Sequence, residues 1–235
     1  GAATGLGTLA VSGASNLGAS VSSDDTQSYG TSNGDLTTIS ADVTLTTTND
    51  NITMRSVDGA AGTEDLTFVA GTGDITVNGD LTDIEILTVT SSGGTTFNGS
   101  VDATTVTITD TGDNDDVIFN DALTATTLTL TNGGADNYDV ALNGGGEITN
   151  AVTFANGGTV QIGNGSGDSM LFVGGFTATA PSALTFGGSI STTNQAITVG
   201  DSDTASTLNS NTTFDAGNAA LTIDGGVAGA GNSLT

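Results

Sequence analysis

Short runs in which apolar and polar residues alternate recur along this chain at a nearly constant spacing. The runs of one series begin with an apolar residue and follow one another at 19 to 24 residues: Val43, Leu66, Leu87, Val106, Leu128 and Val152. A second series keeps pace with the first: Met54, Val77, Phe97, Phe119, Leu142 and Ile162. Alternation at a period of two predicts β-strands. Repetition of the whole pattern predicts a solenoid, because each coil must place similar side chains above and below those of its neighbours.

A third, weaker series follows the second and completes the repeating unit: Leu81, Val101, Leu123 and Ile148. Turn-forming segments rich in Gly, Asn and Asp separate the runs. The pattern therefore predicts an all-β fold, a parallel β-helix or β-solenoid with three short strands per coil of about 19–24 residues. An antiparallel sandwich also needs frequent turns, but it has no reason to place Asn at equal positions in four successive units.

The regularity of the pattern varies along the chain and suggests how it is organised. We expect residues 1–235 to form a single β-solenoid segment, a fragment of a longer array. Residues 1–42 predict less regular first coils, although a flexible linker is the alternative for residues 1–35, and residues 43–165 predict regular coils. Residues 166–235 predict looser coils with an insertion near 174–181. About eleven coils at ~4.8 Å each would form a rod on the order of 50 Å long.

Composition narrows the classes of partner and compartment. The 235 residues include 26 acidic side chains, one Arg, no Lys and no Cys, and the formal net charge of −25 argues against nucleic acid as a partner. High net charge can indicate disorder, but the 35% of apolar residues fall in alternating runs, which favours a folded chain. No apolar run reaches the ~18 residues of a membrane span, so we expect no membrane insertion. The acidic, Lys-free composition favours a secreted or surface-exposed setting.

Two sets of polar residues are candidates for sites. Asn residues that follow the second series are expected to form a structural ladder of stacked amides at one corner of the solenoid: Asn78, Asn98, Asn120 and Asn143. Acidic residues in turns are weak candidates for Ca²⁺ ligands, although no complete Ca²⁺-binding loop is present: Asp110, Asp113, Asp115, Asp116 and Asp168.

No catalytic or cofactor-binding residues are predicted. Asp113, Asp115 and Asp116 could supply paired carboxylates to a glycosidase, but the chain lacks His, Lys and Trp. We therefore expect a protein that is not an enzyme and has no cofactor other than weakly bound Ca²⁺. The single cation, Arg55, is expected to pair with Asp58 or Glu64.

Threonines form a further pattern, in which Thr-X-Thr recurs in the first series with an apolar residue in the middle. The pairs are Thr44/Thr46, Thr88/Thr90, Thr107/Thr109 and Thr129/Thr131, and Val69 and Ala155 interrupt the array. Such an array resembles the binding face of several ice-binding solenoids. Thr also suits any solvated strand face, so the sequence leaves both interpretations open.

Two stretches, residues 42–53 (DVTLTTTNDNIT) and 65–79 (DLTFVAGTGDITVNG), carry a likeness to a known kind of protein. They resemble the Thr-, Gly- and Asn-rich repeat arrays of very large bacterial surface and secreted proteins, in the style of filamentous haemagglutinin and autotransporter adhesins. The resemblance implies a right-handed parallel β-helix, export across the envelope, and service as a stalk, fibre or adhesive surface. It transfers no functional residue to this chain.

The function expected from these observations is that of a non-enzymatic structural or adhesive β-solenoid of an extracellular bacterial surface protein. One alternative is a self-assembling filament subunit with end-to-end β-stacking. Another is an ice- or carbohydrate-binding solenoid. The corresponding partners are neighbouring repeats or other copies of the chain, or a glycan or protein receptor on a host or surface.

Overall fold

The computed structural model describes residues 1–32, 34–109, 111–112, 115–131 and 137–235, and within these ranges the regular secondary structure is entirely β. The strands are β1 (Ala3–Leu6), β2 (Leu9–Val11), β3 (Ser15–Leu17), β4 (Val21–Ser23), β5 (Gln27–Tyr29), β6 (Leu36–Ile39), β7 (Val43–Thr46), β8 (Ile52–Met54), β9 (Ser56–Gly59), β10 (Glu64–Val69), β11 (Ile75–Val77), β12 (Leu81–Ser91), β13 (Thr95–Phe97), β14 (Val101–Ile108), β15 (Asp116–Phe119), β16 (Leu123–Leu130), β17 (Asp139–Leu142), β18 (Gly146–Ile148), β19 (Val152–Thr153), β20 (Thr159–Ile162), β21 (Ser169–Phe172), β22 (Phe176–Ala178), β23 (Ala183–Thr192), β24 (Ile197–Val199), β25 (Ala205–Asp215), β26 (Leu221–Ile223) and β27 (Val227–Ala228).

All the strand pairs are parallel and arrange the chain as stacked coils with three faces. Face 1 contains β1, β4, β7, β10, the second parts of β12, β14 and β16, and then β19, β22, β24 and β26. Face 2 contains β2, β5, β8, β11, β13, β15, β17, β20, the first parts of β23 and β25, and β27. Face 3 contains β3, β6, β9, the first parts of β12, β14 and β16, β18, β21, and the second parts of β23 and β25. The predicted β-solenoid with three strands per coil is thereby confirmed, with about 10 turns.

The inward side chains of successive coils form continuous apolar columns. On face 1, Leu66 pairs with Val43 and Leu87, and Val106 pairs with Leu87 and Leu128. All five side chains are at most 4% exposed. Residues between them point outward because side chains alternate across a parallel strand. The buried apolar core runs through the coils from Val21 to Ala216.

Aromatic residues fill the same interior. Phe97 and Phe119 pair on face 2 and stack with ring centroids 5.0 Å apart. Phe154, Phe172 and Phe176 pack together where the ladder of face 1 passes to a separate four-stranded sheet, with centroid distances of 4.5 to 6.1 Å. All eight Phe and both Tyr are buried, which leaves no aromatic ring on the surface.

The insertion predicted near 174–181 is wrong. Phe176 pairs in register with Val152 on the preceding coil and with Ile197 on the following one, so this segment supplies a strand of face 1. Leu184 lies on face 2 and Ile197 on face 1, so the apolar runs that begin at these two residues belong to different series. Their close spacing along the chain therefore does not indicate an insertion.

The predicted third series is correct except at its last member. Leu81 pairs with Val101, and Leu123 pairs with Gly146. Ile148 instead pairs with Ala125, two residues further along the same strand. Glycine has no side chain for a hydrophobic pattern to detect, so the next apolar residue was taken in its place.

Candidate functional site

The four predicted ladder asparagines lie one above another at the corner between faces 2 and 3. Asn98 Nδ2 donates to Asn78 Oδ1 at 3.4 Å, and the equivalent bonds from Asn120 to Asn98 and from Asn143 to Asn120 measure 3.0 Å. Asn78 Nδ2 donates in turn to the main-chain oxygen of Met54 at 3.3 Å. Each amide within the ladder therefore donates to the coil before it and accepts from the coil after it.

The ladder extends beyond the residues that the sequence pattern singled out. Gln161 Nε2 donates to Asn143 Oδ1 at 2.5 Å, and Asn209 Nδ2 donates to Gln161 Oε1 at 3.4 Å. Gln161 occupies a strand position two residues before Gly163, which is equivalent to Asn143, and its longer side chain reaches the amide of Asn143. A search for Asn at equal positions could not find it. The amide groups of this row are engaged with one another.

The candidate Ca²⁺ ligands are not brought together. Asp110 and Asp113 lie outside the described residues. Asp115 and Asp116 lie at the corner before face 2, whereas Asp168 lies on a later coil at the corner before face 3. Asp168 Oδ2 accepts the backbone N–H groups of Asn164 at 2.8 Å and Gly165 at 2.7 Å, which closes a turn. Within the described ranges, no group of three or more His, Cys, Asp or Glu side chains is arranged to hold a metal.

Asp116 has an unfavourable electrostatic environment. Partial burial raises its pKa, and the neighbouring carboxylates of Asp139 and Asp115 raise it further. Asp139 is its partner on the next coil of face 2. Repulsion between stacked acids of this kind is what a bound cation would relieve, but the geometry of the described residues supplies no complete ligand set.

Arg55 lies beside an acid that the sequence did not indicate. Its Nη2 donates to the main-chain oxygen of Thr31 at 3.4 Å. The pKa of Asp35 is lowered by hydrogen bonds from the backbone N–H groups of Ser32 and Thr31, and the positive charge of Arg55 adds to this effect. Glu64, a predicted partner, instead accepts the backbone N–H groups of Ala61 and Thr63 at 3.0 and 3.1 Å.

Threonines form an outward column along face 1. Thr67 pairs with Thr44 and Thr88, and Thr107 with Thr88 and Thr129. The column resumes on the four-stranded sheet that contains β19, β22, β24 and β26. The first strand of this sheet, β19, lies against β16. Its outward threonines are Thr153, Thr177, Thr198 and Thr222. Among the described residues, no hydrogen bond engages the hydroxyl group of any of these nine threonines.

Charge is distributed unevenly among the faces. Along the outward column of face 3, acids and threonines alternate, so that like charges are separated by one coil: Thr38, Asp58, Thr82, Asp102, Thr124 and Glu147. On face 1, the strand segments 87–91, 106–109, 128–131, 152–155, 176–179 and 197–199 contain no charged residue. Face 1 thus presents an uncharged surface over six coils of a strongly acidic protein.

Two surface depressions lie at corners of the described coils. One of them, of about 370 Å³, lies between faces 1 and 2 and is bordered by Asn49, Thr72, Ser91 and Asp115. Another, of about 280 Å³, is bordered by Arg55, Asn78 and Asp80.

Comparison with known proteins found no matching family model, no matching curated protein and no matching solved structure. A separate search of the described ranges for a membrane-crossing helix found none of sufficient length and hydrophobicity.

Proposed function

We propose that this chain is a non-enzymatic structural segment of an extracellular bacterial surface protein or fibre, in which a stiff rod holds an adhesive surface away from the cell. The observation that carries the proposal is the unbroken stack. Inward positions of successive coils form apolar columns, and the asparagine ladder at the corner between faces 2 and 3 joins four successive coils. The patterned residues thereby connect coils along one axis, which is what a spacer requires.

Composition supports an exposed setting. With one Arg and no Lys, a trypsin-like protease has a single site, after Arg55. The backbone N–H of Arg55 donates to Tyr29 O at 3.0 Å, and its own carbonyl accepts from Gly79 N at 3.2 Å. Hydrogen-bonded backbone must unfold locally before a protease can cut it. A chain of this kind would resist trypsin-like proteases.

The spacer role is tested by displaying the chain on a bacterial surface between an outer-membrane anchor and an epitope. Cryo-electron tomography of the labelled epitope would measure its height above the membrane. A rod of about ten coils predicts a narrow distribution that adds about 50 Å to the height of the anchor alone. A Gly/Ser linker of equal length is the control, with a broad distribution expected of a flexible chain.

Two results would overturn the proposal. One is a height distribution as broad as that of the Gly/Ser control, because the chain would then be a flexible tether. The other is concentration-dependent polymers of the purified chain in size-exclusion chromatography, which would favour a filament subunit assembled by end-to-end β-stacking.

A further inference from the structure

We propose that face 1 is an ice-binding surface formed by its outward threonine column. Nine threonines follow one another along this face, and strand pairing fixes the register within each of its two blocks. Parallel strands repeat at ~4.8 Å, so hydroxyl and methyl groups are presented at that interval. The β-branched side chain restricts χ1, which keeps these groups in fixed positions.

The free hydroxyl groups show what this surface can contact. Two outward threonines outside this column bond to the protein: Thr82 Oγ1 on face 3 donates to Asp58 Oδ1 at 2.9 Å, and Thr131 Oγ1, at the end of a face-1 strand, donates to Thr109 O at 2.6 Å. The hydroxyls of the column make no such bond among the described residues, and all are left to water or a ligand. A row of hydroxyls at a fixed spacing can order the water next to it.

The charge distribution identifies the partner as neutral. The chain has a formal net charge of −25, yet six consecutive coils of face 1 have no charged residue in their strand segments. On face 3, acids occupy alternate coils of the equivalent outward column, as at Asp102 and Glu147. Charged groups hold their own hydration shells, which do not match a crystal of water. A neutral face leaves the periodic array uninterrupted.

The repetition further indicates that the partner is itself periodic. A single protein receptor would contact a few residues and would not require the same side chain on successive coils. A crystalline polysaccharide is also periodic and neutral, but sugar rings are bound on exposed aromatic side chains, and every aromatic residue of this chain is buried. Ice is therefore the occupant that these observations favour. This inference is independent of the spacer role.

The test compares substitutions on two faces of the purified full chain. Thr107→Tyr and Thr129→Tyr place bulky rings in the middle of the column, and Thr124→Tyr places the same ring on exposed face 3. Tyr is well tolerated in strands, and far-UV circular dichroism with thermal melting would verify that each variant is folded. We expect thermal hysteresis and inhibition of ice recrystallisation in the wild type and in Thr124→Tyr, and the loss of most of both activities in the two face-1 variants.

Several outcomes would overturn the inference. Wild-type protein with neither thermal hysteresis nor recrystallisation inhibition would exclude ice as the ligand. Equal activity in all three folded variants would exclude face 1 as the surface. Binding to microcrystalline cellulose without any effect on ice would assign the face to a polysaccharide. Sedimentation showing a dimer that Thr107→Tyr disrupts, again without any effect on ice, would assign it to a second copy of the chain.

Discussion

Asp65 shows at the residue scale how an acidic solenoid contains local electrostatic strain. Partial burial raises the pKa of its carboxyl group, and the nearby Asp42 raises it further. Its Oδ1 is buried and has no hydrogen-bond partner among the described residues. Because the folded-state pKa lies above the unfolded value, the folded state binds the proton more tightly. Stability from this group is therefore lost as pH rises through the interval between the two values.

We expect Asp65→Asn to be more stable than wild type at pH 7, because Asn carries no charge to desolvate. The gain should be about 0.2–1 kcal/mol, the range typical of solvent-screened charges. It should disappear as the pH falls below the unfolded pKa, where the wild-type carboxyl group is also neutral. Thermal unfolding between pH 3 and pH 7 measures the difference. Asp102→Asn, which removes an exposed charge on face 3, is the control, and equal stabilisation by both variants would contradict a local cause.

The asparagine ladder permits a second prediction at this scale. Asn120→Asp keeps the oxygen that accepts from Asn143 but replaces the donor to Asn98 by a second oxygen. We expect a loss of about 1 kcal/mol from the missing hydrogen bond. Asn150→Asp is the matched control, because Asn150 Nδ2 donates at 2.9 Å to the hydroxyl of Thr127, which can reverse and become the donor. Urea unfolding would measure both variants, and equal losses would show that the ladder does not stabilise the stack.

The sequence predicted these polar contacts only where they repeat. The four asparagines occupy equal positions, so stacking was a sound expectation. Gln161 breaks the positional rule and joins the ladder through a longer side chain. Asp35 comes near Arg55 from the preceding coil, about one repeat away along the chain. Such contacts depend on how the corner of one coil lies over the corner of the next. The alternation of apolar and polar residues does not specify this.

At the scale of the element, the corners limit how closely coils can stack. A Cβ atom added at Gly99 would lie 2.4 Å from the carbonyl carbon of Gly79 on the preceding coil and 2.6 Å from Asp80 N. Backbone at both positions leaves no flexible side chain to move aside. Glycine is therefore required here by close approach between coils.

We expect Gly99→Ala to destabilise the protein by about 1–3 kcal/mol, the usual cost of overpacking. Gly167→Ala is the control, since a Cβ atom there would have no neighbour within 4 Å. Its effect should be small or slightly stabilising, because alanine reduces the freedom of the unfolded chain. Thermal melting of the two variants tests the difference, and a Gly99→Ala protein as stable as wild type would disprove tight stacking at this corner.

The strands themselves were predictable where both flanking apolar residues are large. Leu66–Thr67–Phe68 and Leu128–Thr129–Leu130 are examples that lie in their expected columns. The face of a strand was harder to assign where the columns contain Gly or Ala, as at Gly146 and Ala178. Small inward residues weaken the periodic signal, although the backbone ladder continues through them.

At the scale of the whole molecule, strand pairing joins each coil to the coils before and after it, so length and stability should change in units of one coil. Deletion of residues 66–105 removes two coils, because Leu66 pairs with Leu87 and Leu87 with Val106, and joins Asp65 to Val106. We expect this variant to fold and to be shorter than wild type by about 10 Å in small-angle X-ray scattering.

Deletion of residues 66–94 instead joins Asp65 to Thr95, which places a face-2 strand where face 1 must continue. This out-of-phase variant should lose cooperative unfolding, because its inward residues no longer meet those of the neighbouring coil. Equal stability of the two deletion variants would show that register between coils does not hold the rod together.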